Sequence, residues 1–272
     1  MKNSITILGS GTSTGVPILG CNCKVCQSND PRNRRLRTSA LIEFSSGKKV
    51  LIDASPDLRT QLLRTQTKTM DAVLITHDHA DHTHGMDDLR PFCWNHTEDI
   101  PVYADESATK DLKRKFRYIF ERDEYFANKA ILGGGIPHLT LQVVSDGEYE
   151  IAGEKFNLFS LPHGHEMTFC FIQGKCGYVT DCREIPEPVL EKLHDAQLEV
   201  LFIDCLRRKP HTTHLHLDLS LDYIAKIRPQ IAVLTHMSHE WDYQELMSEL
   251  RTRGINNVLP AQDGQTFLYS KT

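Results

Sequence analysis

The feature that most constrains this chain is the string Thr76-His77-Asp78-His79-Ala80-Asp81-His82, which follows directly on the apolar run Ala72-Val73-Leu74-Ile75. An unbroken run of this kind reads as a short buried strand. Four metal-ligand side chains, His77, His79, Asp81 and His82, then fall within six residues. A tight turn there can present His77 and His79 to one side and Asp81 and His82 to the other. Imidazole and carboxylate together suit divalent Zn, Mn or Fe. A polar surface loop would rarely collect four such residues in this order by chance. The fold therefore has to hold this loop on a rigid strand end, where scaffolds place chemistry. Histidine is abundant throughout, with fourteen residues, most of them in a few short clusters.

The rest of the chain supplies strands to build that scaffold. Ser4–Leu8 runs into the glycine-rich turn Gly9–Gly15. Ser39–Phe44 and Lys49–Ile52 flank Ser46-Gly47 as a hairpin. Further strands are expected at 100–103, 139–144, 156–161, 169–172, 177–180, 200–203 and 231–235, and helices at 57–63, 107–120, 187–193, 220–227 and 243–252. Strands first, then strands alternating with helices, predict an α/β (α+β) fold of two mixed sheets with helices outside. No repeat or long linker divides the chain, and Gly133-Gly134-Gly135 reads as a flexible turn, so 1–272 is expected to form a single domain. At 272 residues a large core forms without staples.

Composition narrows the function classes. Hydrophobic residues make up 40% and charged residues 25%, which excludes disorder, collagen and coiled coil. A net charge of −5 argues against a nucleic-acid coat or an anionic-membrane binder; the basic run Arg32–Arg37 is the counter-argument, unless it is a solvated turn. No apolar stretch approaches a membrane span, and Ile5–Leu8 is too short for a signal-peptide core, so a cytoplasmic location is expected. In that compartment cysteines are thiols or metal ligands. Cys93, Cys170, Cys176, Cys182 and Cys205 are scattered and read as small buried hydrophobes.

Cys21, Cys23 and Cys26 are different, three thiols within six residues. A structural zinc site wants four ligands, and three thiolates with one imidazole is a common set. His239, three residues beyond His236, can complete it. The competing readings are three free thiols and a redox Cys23–Cys26 pair, the latter weakened by the extra Cys21 and by the absence of a thioredoxin-like pattern.

The His-x-His-x-Asp-His string resembles the signature of the metallo-β-lactamase superfamily of hydrolases. The remaining pieces follow in that family's order: Leu161-Pro162-His163-Gly164, Tyr178-Val179-Thr180-Asp181 and Val233-Leu234-Thr235-His236. The resemblance spans the chain from Ile5 to Tyr269 and implies an αββα sandwich with two catalytic divalent metals, Mn2+ or Zn2+. It implies that His77, His79 and His163 hold one metal, that Asp81, His82 and His236 hold the other, and that Asp181 bridges them. His165 competes with its neighbour His163 for the ligand role, and the family pattern favours His163.

The cysteine cluster, together with Thr235-His236-Met237-Ser238-His239, is similar to the PhnP-type phosphodiesterases, as are Leu8–Thr12, Ile52-Asp53 and Gly85–Arg90. That resemblance implies a structural Zn2+ on Cys21, Cys23, Cys26 and His239, within a loop at about 20–27. It also implies a homodimer. The implied activity is hydrolysis of a small cyclic phosphodiester, such as phosphoribosyl 1,2-cyclic phosphate, by a hydroxide generated between the metals. Asp81 and His214 are the residues assigned to catalysis. His214 lies 22 residues before His236, the family's spacing for a substrate-side histidine, and an imidazole suits proton donation near neutral pH.

Asp53 is expected to orient a ligand, with Asp78 and His84 behind the ligands at most. His211 and His216 are bystanders, and His96, His138 and His194 are structural or exposed. Arg90 either contacts phosphate or forms an exposed ion pair, and the Gly9–Gly15 turn either cradles phosphate or, the favoured reading, carries the cysteine loop. The alternative function is that of a tRNase Z-like nuclease, which shares the metal set, but the acidic balance offers a polyanion little attraction and no basic inserted arm is present. A non-catalytic binding module does not need a complete ligand set.

Overall fold

The structure is a computed structural model describing residues 2–94, 98–127 and 135–272. His96 and most of the glycine triplet lie outside the described residues. The strands are β1 (Lys2–Gly9), β2 (Ser39–Glu43), β3 (Lys49–Ile52), β4 (Ala72–Leu74), β5 (Ile100–Ala104), β6 (Leu139–Val143) and β7 (Gly147–Ile151). They continue as β8 (Glu154–His163), β9 (Glu166–Gln173), β10 (Cys176–Val179), β11 (Val200–Asp204), β12 (Ile231–Thr235), β13 (Val258–Pro260) and β14 (Thr266–Ser270).

They form two seven-stranded sheets, in the orders β14-β1-β2-β3-β4-β5-β6 and β13-β12-β11-β10-β9-β8-β7. Both sheets are mixed. β1, β2, β3 and β14 pair antiparallel, while β3 to β6 run parallel. In the second sheet β7 to β10 are antiparallel and β10 to β13 parallel. The predicted αββα sandwich is what forms.

Period-2 alternation drives the layering. Ile5, Ile42, Val50, Ile52 and Leu74 of the first sheet pack against Phe156, Leu158, Phe171, Tyr178 and Phe202 of the second. The opposite faces are covered by helices. Leu8, Leu41, Leu51 and Val73 pack with Leu58, Leu62, Ala108 and Leu112. Leu161, Leu201 and Ile203 pack with Leu190, Ile224 and Leu246. Helix Tyr243–Thr252 begins where predicted because Asp242 accepts from Gln244 N and Glu245 N as its N-cap.

Several expectations need correction. The single helix expected over 107–120 is two, Glu106–Lys115 and Arg117–Phe120, broken at Phe116, where φ is −122°. Phe116 is buried in the core and its ring meets His84 at 5.6 Å, so tertiary packing overrides the helical pattern. Strands β7, β13 and β14 were not foreseen; β7 carries the exposed Glu148 and Glu150, β14 has polar ends in Thr266 and Ser270, and β13 has only three residues. The Arg32–Arg37 run is not a solvated turn. Arg35 is 1% exposed and donates to the carbonyls of Ser238 (3.4 Å) and Trp241 (2.8 Å). Arg32 pairs with Asp30 at 2.6 Å and Arg37 with Asp57 at 3.0 Å, which leaves Arg34 as the exposed cation of the run. The five scattered cysteines are buried. Among the described residues no helix is long and apolar enough to cross a membrane.

Candidate metal centres

The site is assembled at the C-terminal edges of parallel strands. β3 leads into Asp53, β4 into His77 and His79, β10 into Asp181, and β12 into His236, while Asp204 closes β11. β8 ends on His163. Three of these residues hold left-handed backbone without being glycine: Asp53 (φ 60°), Asp181 (φ 51°) and His236 (φ 54°). Such conformations persist only where the surroundings impose them, and they turn each side chain sharply off its strand. Gly85 makes the motif fit against β3. A Cβ there would lie 1.9 Å from Ser55 O, and its N–H donates to Ala54 O while Ala54 N–H donates to His82 O.

These strand ends bring the sequence candidates together. His77, His79 and His163 form one cluster of ligand atoms, and Asp81, His82 and His236 another; His77, His82 and Asp181 form a third between them. Asp181 is shared. Its Oδ2 lies 2.5 Å from His82 Nε2 and 3.7 Å from His77 Nε2, and its Oδ1 lies 2.9 Å from His236 Nε2. Of the two neighbours, His163 is buried in the cluster, whereas His165 is exposed and lines the cleft above it.

The hydrogen bonds behind the imidazoles fix which nitrogens face inward. Thr76 Oγ1 donates to Asp53 and so accepts from His77 Nδ1 at 3.1 Å. His82 Nδ1 donates to Asp53 Oδ2 at 2.7 Å, and His163 Nδ1 to Thr213 O at 3.0 Å. The inward atoms are left bare. His77 Nε2, His82 Nε2, His236 Nε2 and both Asp181 oxygens are buried and crowd on one another as close ion pairs, with no hydrogen bond of good geometry among them. His79 Nδ1 and His163 Nε2 face each other at 3.3 Å, close to the edge of about 3.3 Å that two imidazoles span around a tetrahedral zinc. Orphaned, converging acceptors of this kind are what a divalent cation satisfies.

The charges agree. Burial alone would push the His82 imidazolium down, but Asp181, Asp53 and Asp81 outweigh it and hold it well above the usual range. Against the same burial cost, Asp181 and Asp81 hold His236 up at about 10. Asp181 lies well below the carboxylate range because His236 and His82 overcome its burial. Burial, reinforced by the neighbouring His82, pushes His77 well down. Metal-free, the site is a lattice of two imidazoliums on carboxylates, with neutral His77 beside it.

The second cluster is Cys21, Cys23, Cys26 and His239. The three sulfurs lie 3.4, 3.6 and 3.6 Å from His239 Nδ1. A tetrahedral zinc with Zn–S of about 2.3 Å and Zn–N of about 2.0 Å would set those edges at about 3.6 Å. The Cys26 backbone N–H donates to Cys23 Sγ and helps draw that thiol down to about 6, whereas burial pushes Cys26 up to about 11. This donor set does not suit the redox Cys23–Cys26 reading, since all three sulfurs converge on one imidazole.

A cleft of about 370 Å³ opens over the first clusters, lined by Ser13, His79, Asp81, His163, His165, Glu166, Asp181, Thr213, His214 and His236 among others. Among the described residues no lysine or arginine lines it. His214 stacks on His236 with ring centroids 4.8 Å apart, and its Nδ1 donates to Asp204 Oδ2 at 3.0 Å. Asp204 was not foreseen. The available signal was its place at the end of the apolar run Val200–Ile203, matching Asp53, Asp181 and His236. Asp53 sits behind His77 and His82 as expected. Asp78 instead receives Lys115 Nζ on its carbonyl, at 2.6 Å, and on its carboxylate. Arg90 pairs with Asp87, the exposed-pair reading. His84 turns away toward Phe116, and His211, a supposed bystander, has its ring 5.2 Å from His214. His138 lies near Asp99, and His194 donates to Lys226 O.

Fold and site together define a metal-dependent hydrolase with a metallo-β-lactamase sandwich. A family model described as "Beta-lactamase superfamily domain" matches residues 48–237. A crystal structure of a diphosphatase from the PhnP family superposes with a TM-score of 0.88 at 36% identity, covering 99% of this chain and 98% of that one. The chain therefore belongs to the PhnP family of that superfamily. An octanoyltransferase of Porphyromonas gingivalis is 38% identical over 235 residues, which is 86% of this chain but 45% of that protein, so the chain spans under half of this relative's length. Human tRNase Z, short form, is 16% identical with a TM-score of 0.65, covering 99% of each chain, a likeness of fold alone.

Proposed function

We propose that the protein is a phosphodiesterase that uses two divalent cations, Mn2+ or Zn2+, to open a small cyclic phosphodiester such as phosphoribosyl 1,2-cyclic phosphate. The observation that carries this reading is the pair of ligand clusters sharing Asp181, with an Asp204–His214 pair beside the same cleft. His77, His79 and His163 would hold one cation and Asp81, His82 and His236 the other, with Asp181 reaching both. Bound there, the cations activate water and draw charge from the phosphoryl oxygens.

The chain's own contribution is to place protons. With Nδ1–H committed to Asp204, His214 has Nε2 as its second proton-carrying atom, and it lines the cleft. Asp204 fixes the orientation of the ring through that hydrogen bond. As the new P–O bond forms and the ring P–O bond breaks, His214 passes its proton to the departing alkoxide, which remains in the product as a hydroxyl. Asp53, Thr76 and Thr213 keep the ligand imidazoles in the tautomer that leaves their inner nitrogens bare. The Cys21/Cys23/Cys26/His239 cluster suits a structural Zn2+ that staples the loop delivering Ser13 to the cleft.

The neighbour's diphosphatase activity belongs to the same chemistry, since a diphosphate presents the same tetrahedral phosphorus. The octanoyltransferase name does not extend to this reading, because the match spans 45% of that protein. A tRNase Z-like role meets a cleft lined, among the described residues, by no lysine or arginine. The deciding experiment compares phosphoribosyl 1,2-cyclic phosphate, 2′,3′-cyclic nucleotides, a dinucleoside diphosphate and precursor tRNA on one metal-reconstituted preparation. The cyclic phosphoribose should give the highest kcat/KM; faster cleavage of precursor tRNA or of the diphosphate would overturn the assignment.

A further inference from the structure

The four imidazoles His77, His82, His163 and His79 are each braced from behind, but not in the same way. Three of the braces, Thr76 Oγ1, Asp53 Oδ2 and Thr213 O, come from buried or partly buried groups within the scaffold. The fourth is Glu166, whose Oε2 lies 3.3 Å from His79 Nε2. Both partners are open to water, with side chains 47% and 52% exposed, whereas His77 and His163 are 2% and 4% exposed. Glu166 also differs from the cleft's other carboxylates, since Asp81 and Asp181 belong to the ligand clusters.

A tight hairpin sets its place on the backbone. Glu166 opens β9 directly opposite His163, across the two-residue turn Gly164-His165. Gly164 supplies the required left-handed backbone (φ 63°), and a Cβ there would lie 3.0 Å from Thr213 Cγ2, beside the residue whose carbonyl braces His163. One hairpin thus carries a ligand imidazole on one side and, on the other, the carboxylate that faces a second ligand imidazole. Because His79 Nδ1 already faces His163 Nε2 at 3.3 Å, a proton on His79 Nε2 held by Glu166 is what keeps Nδ1 free to bind.

We propose that Glu166 is the positioning residue for His79, so that retention of the cation on the His77/His79/His163 side depends on a carboxylate at the mouth of the cleft. This rests on the ligand assignment above but not on the identity of the substrate. The cation on that side is then the more readily exchanged of the two, since its least buried ligand has its least buried brace.

The test is chelator competition on the metal-reconstituted protein with Zn2+ or Mn2+ alone, following stepwise release without substrate. In Glu166→Ala one catalytic equivalent should be lost at about 10–100-fold lower chelator concentration, with the other equivalents unmoved. Glu166→Gln, whose amide oxygen accepts the same hydrogen bond, should restore most of that affinity. Nitrogen-15 NMR of the metal-free protein should show His79 protonated on Nε2, with the Nδ1-protonated tautomer gaining in Glu166→Ala. Unchanged metal retention in Glu166→Ala, or an equal loss in Glu166→Gln, would overturn the proposal. Because no step uses substrate, its failure is separate from failure of the phosphodiesterase reading.

Discussion

Two ligand clusters stand three residues apart along one segment, at His236 and His239, yet they are built on opposite plans. Around His236 the ligands come from the ends of β4, β8, β10 and β12, nearly all buried, with strained backbone at Asp181 and His236 and a second layer of braces behind the rings. Around His239 three of the four ligands are supplied by one six-residue stretch, and only Cys26 is buried. The first plan gives positional precision at the cost of confined charge. The second needs only one distant ligand to pin a loop. Arg35 links them, its guanidinium donating to the carbonyls of Ser238 and Trp241 on either side of His239. Burial draws that guanidinium down to about 10, against the pull of Asp263 and Asp242.

The contrast can be broken most severely at Asp181. Asp181→Ala should lower hydrolysis of bis(p-nitrophenyl) phosphate by at least about 10³-fold, the scale of losing several kcal/mol of charge stabilisation. The circular dichroism spectrum and the metal on the cysteine cluster should both persist. Retained turnover would remove Asp181 from its bridging place. His214→Ala comes next, with a loss of about 10²-fold on substrates with poor leaving groups and far less on p-nitrophenyl esters. Asp204→Asn should show the same bias, whereas equal damage across leaving groups would argue against proton donation.

On the other side of the comparison, His239→Ala should release one metal equivalent and lower the melting temperature by roughly 4–5 °C, as a loss of about 2–3 kcal/mol would in a chain of this size. The catalytic pair should still bind. Loss of all metal from this variant would show that the two plans are not separable.

The smallest effect is a proton count. His236 and His82 are raised and hold protons at pH 7, so cations entering the catalytic clusters must expel about two protons once the cysteine site is filled. Catalytic metal affinity should therefore rise with pH through about 10, where His236 loses its proton. In the metal-free protein the same shift stabilises the fold fully below the ordinary histidine pKa, and that stability is lost as pH rises through about 10. Calorimetry in two buffers of different ionisation enthalpy reads the released protons, and a pH-independent affinity would contradict the charge lattice.

Most of the scaffold was legible because its strands are apolar runs bounded by turn residues, and because chemistry-bearing residues follow directly on them. What escaped was set by tertiary context. β14 is a five-residue edge strand with polar ends, and Phe116 breaks a helix because its ring is drawn into the core. Arg35 reads as one of a charged run but is buried on carbonyl acceptors. Asp204 and Glu166 are single acids whose meaning depends on which imidazole they meet, 10 residues away for Asp204–His214 and far across the chain for Glu166–His79. The left-handed backbone at Asp53, Asp181 and His236 leaves no mark in composition.

The central claim is that distant strand ends converge on two cations while a separate loop holds a third. Anomalous diffraction from crystals of the metal-reconstituted protein tests it directly. The account predicts two peaks about 3.5–4 Å apart flanking Asp181, and a third among Cys21, Cys23, Cys26 and His239. A single peak or none beside Asp181, with His82 and His236 still closed on its carboxylate, would contradict it.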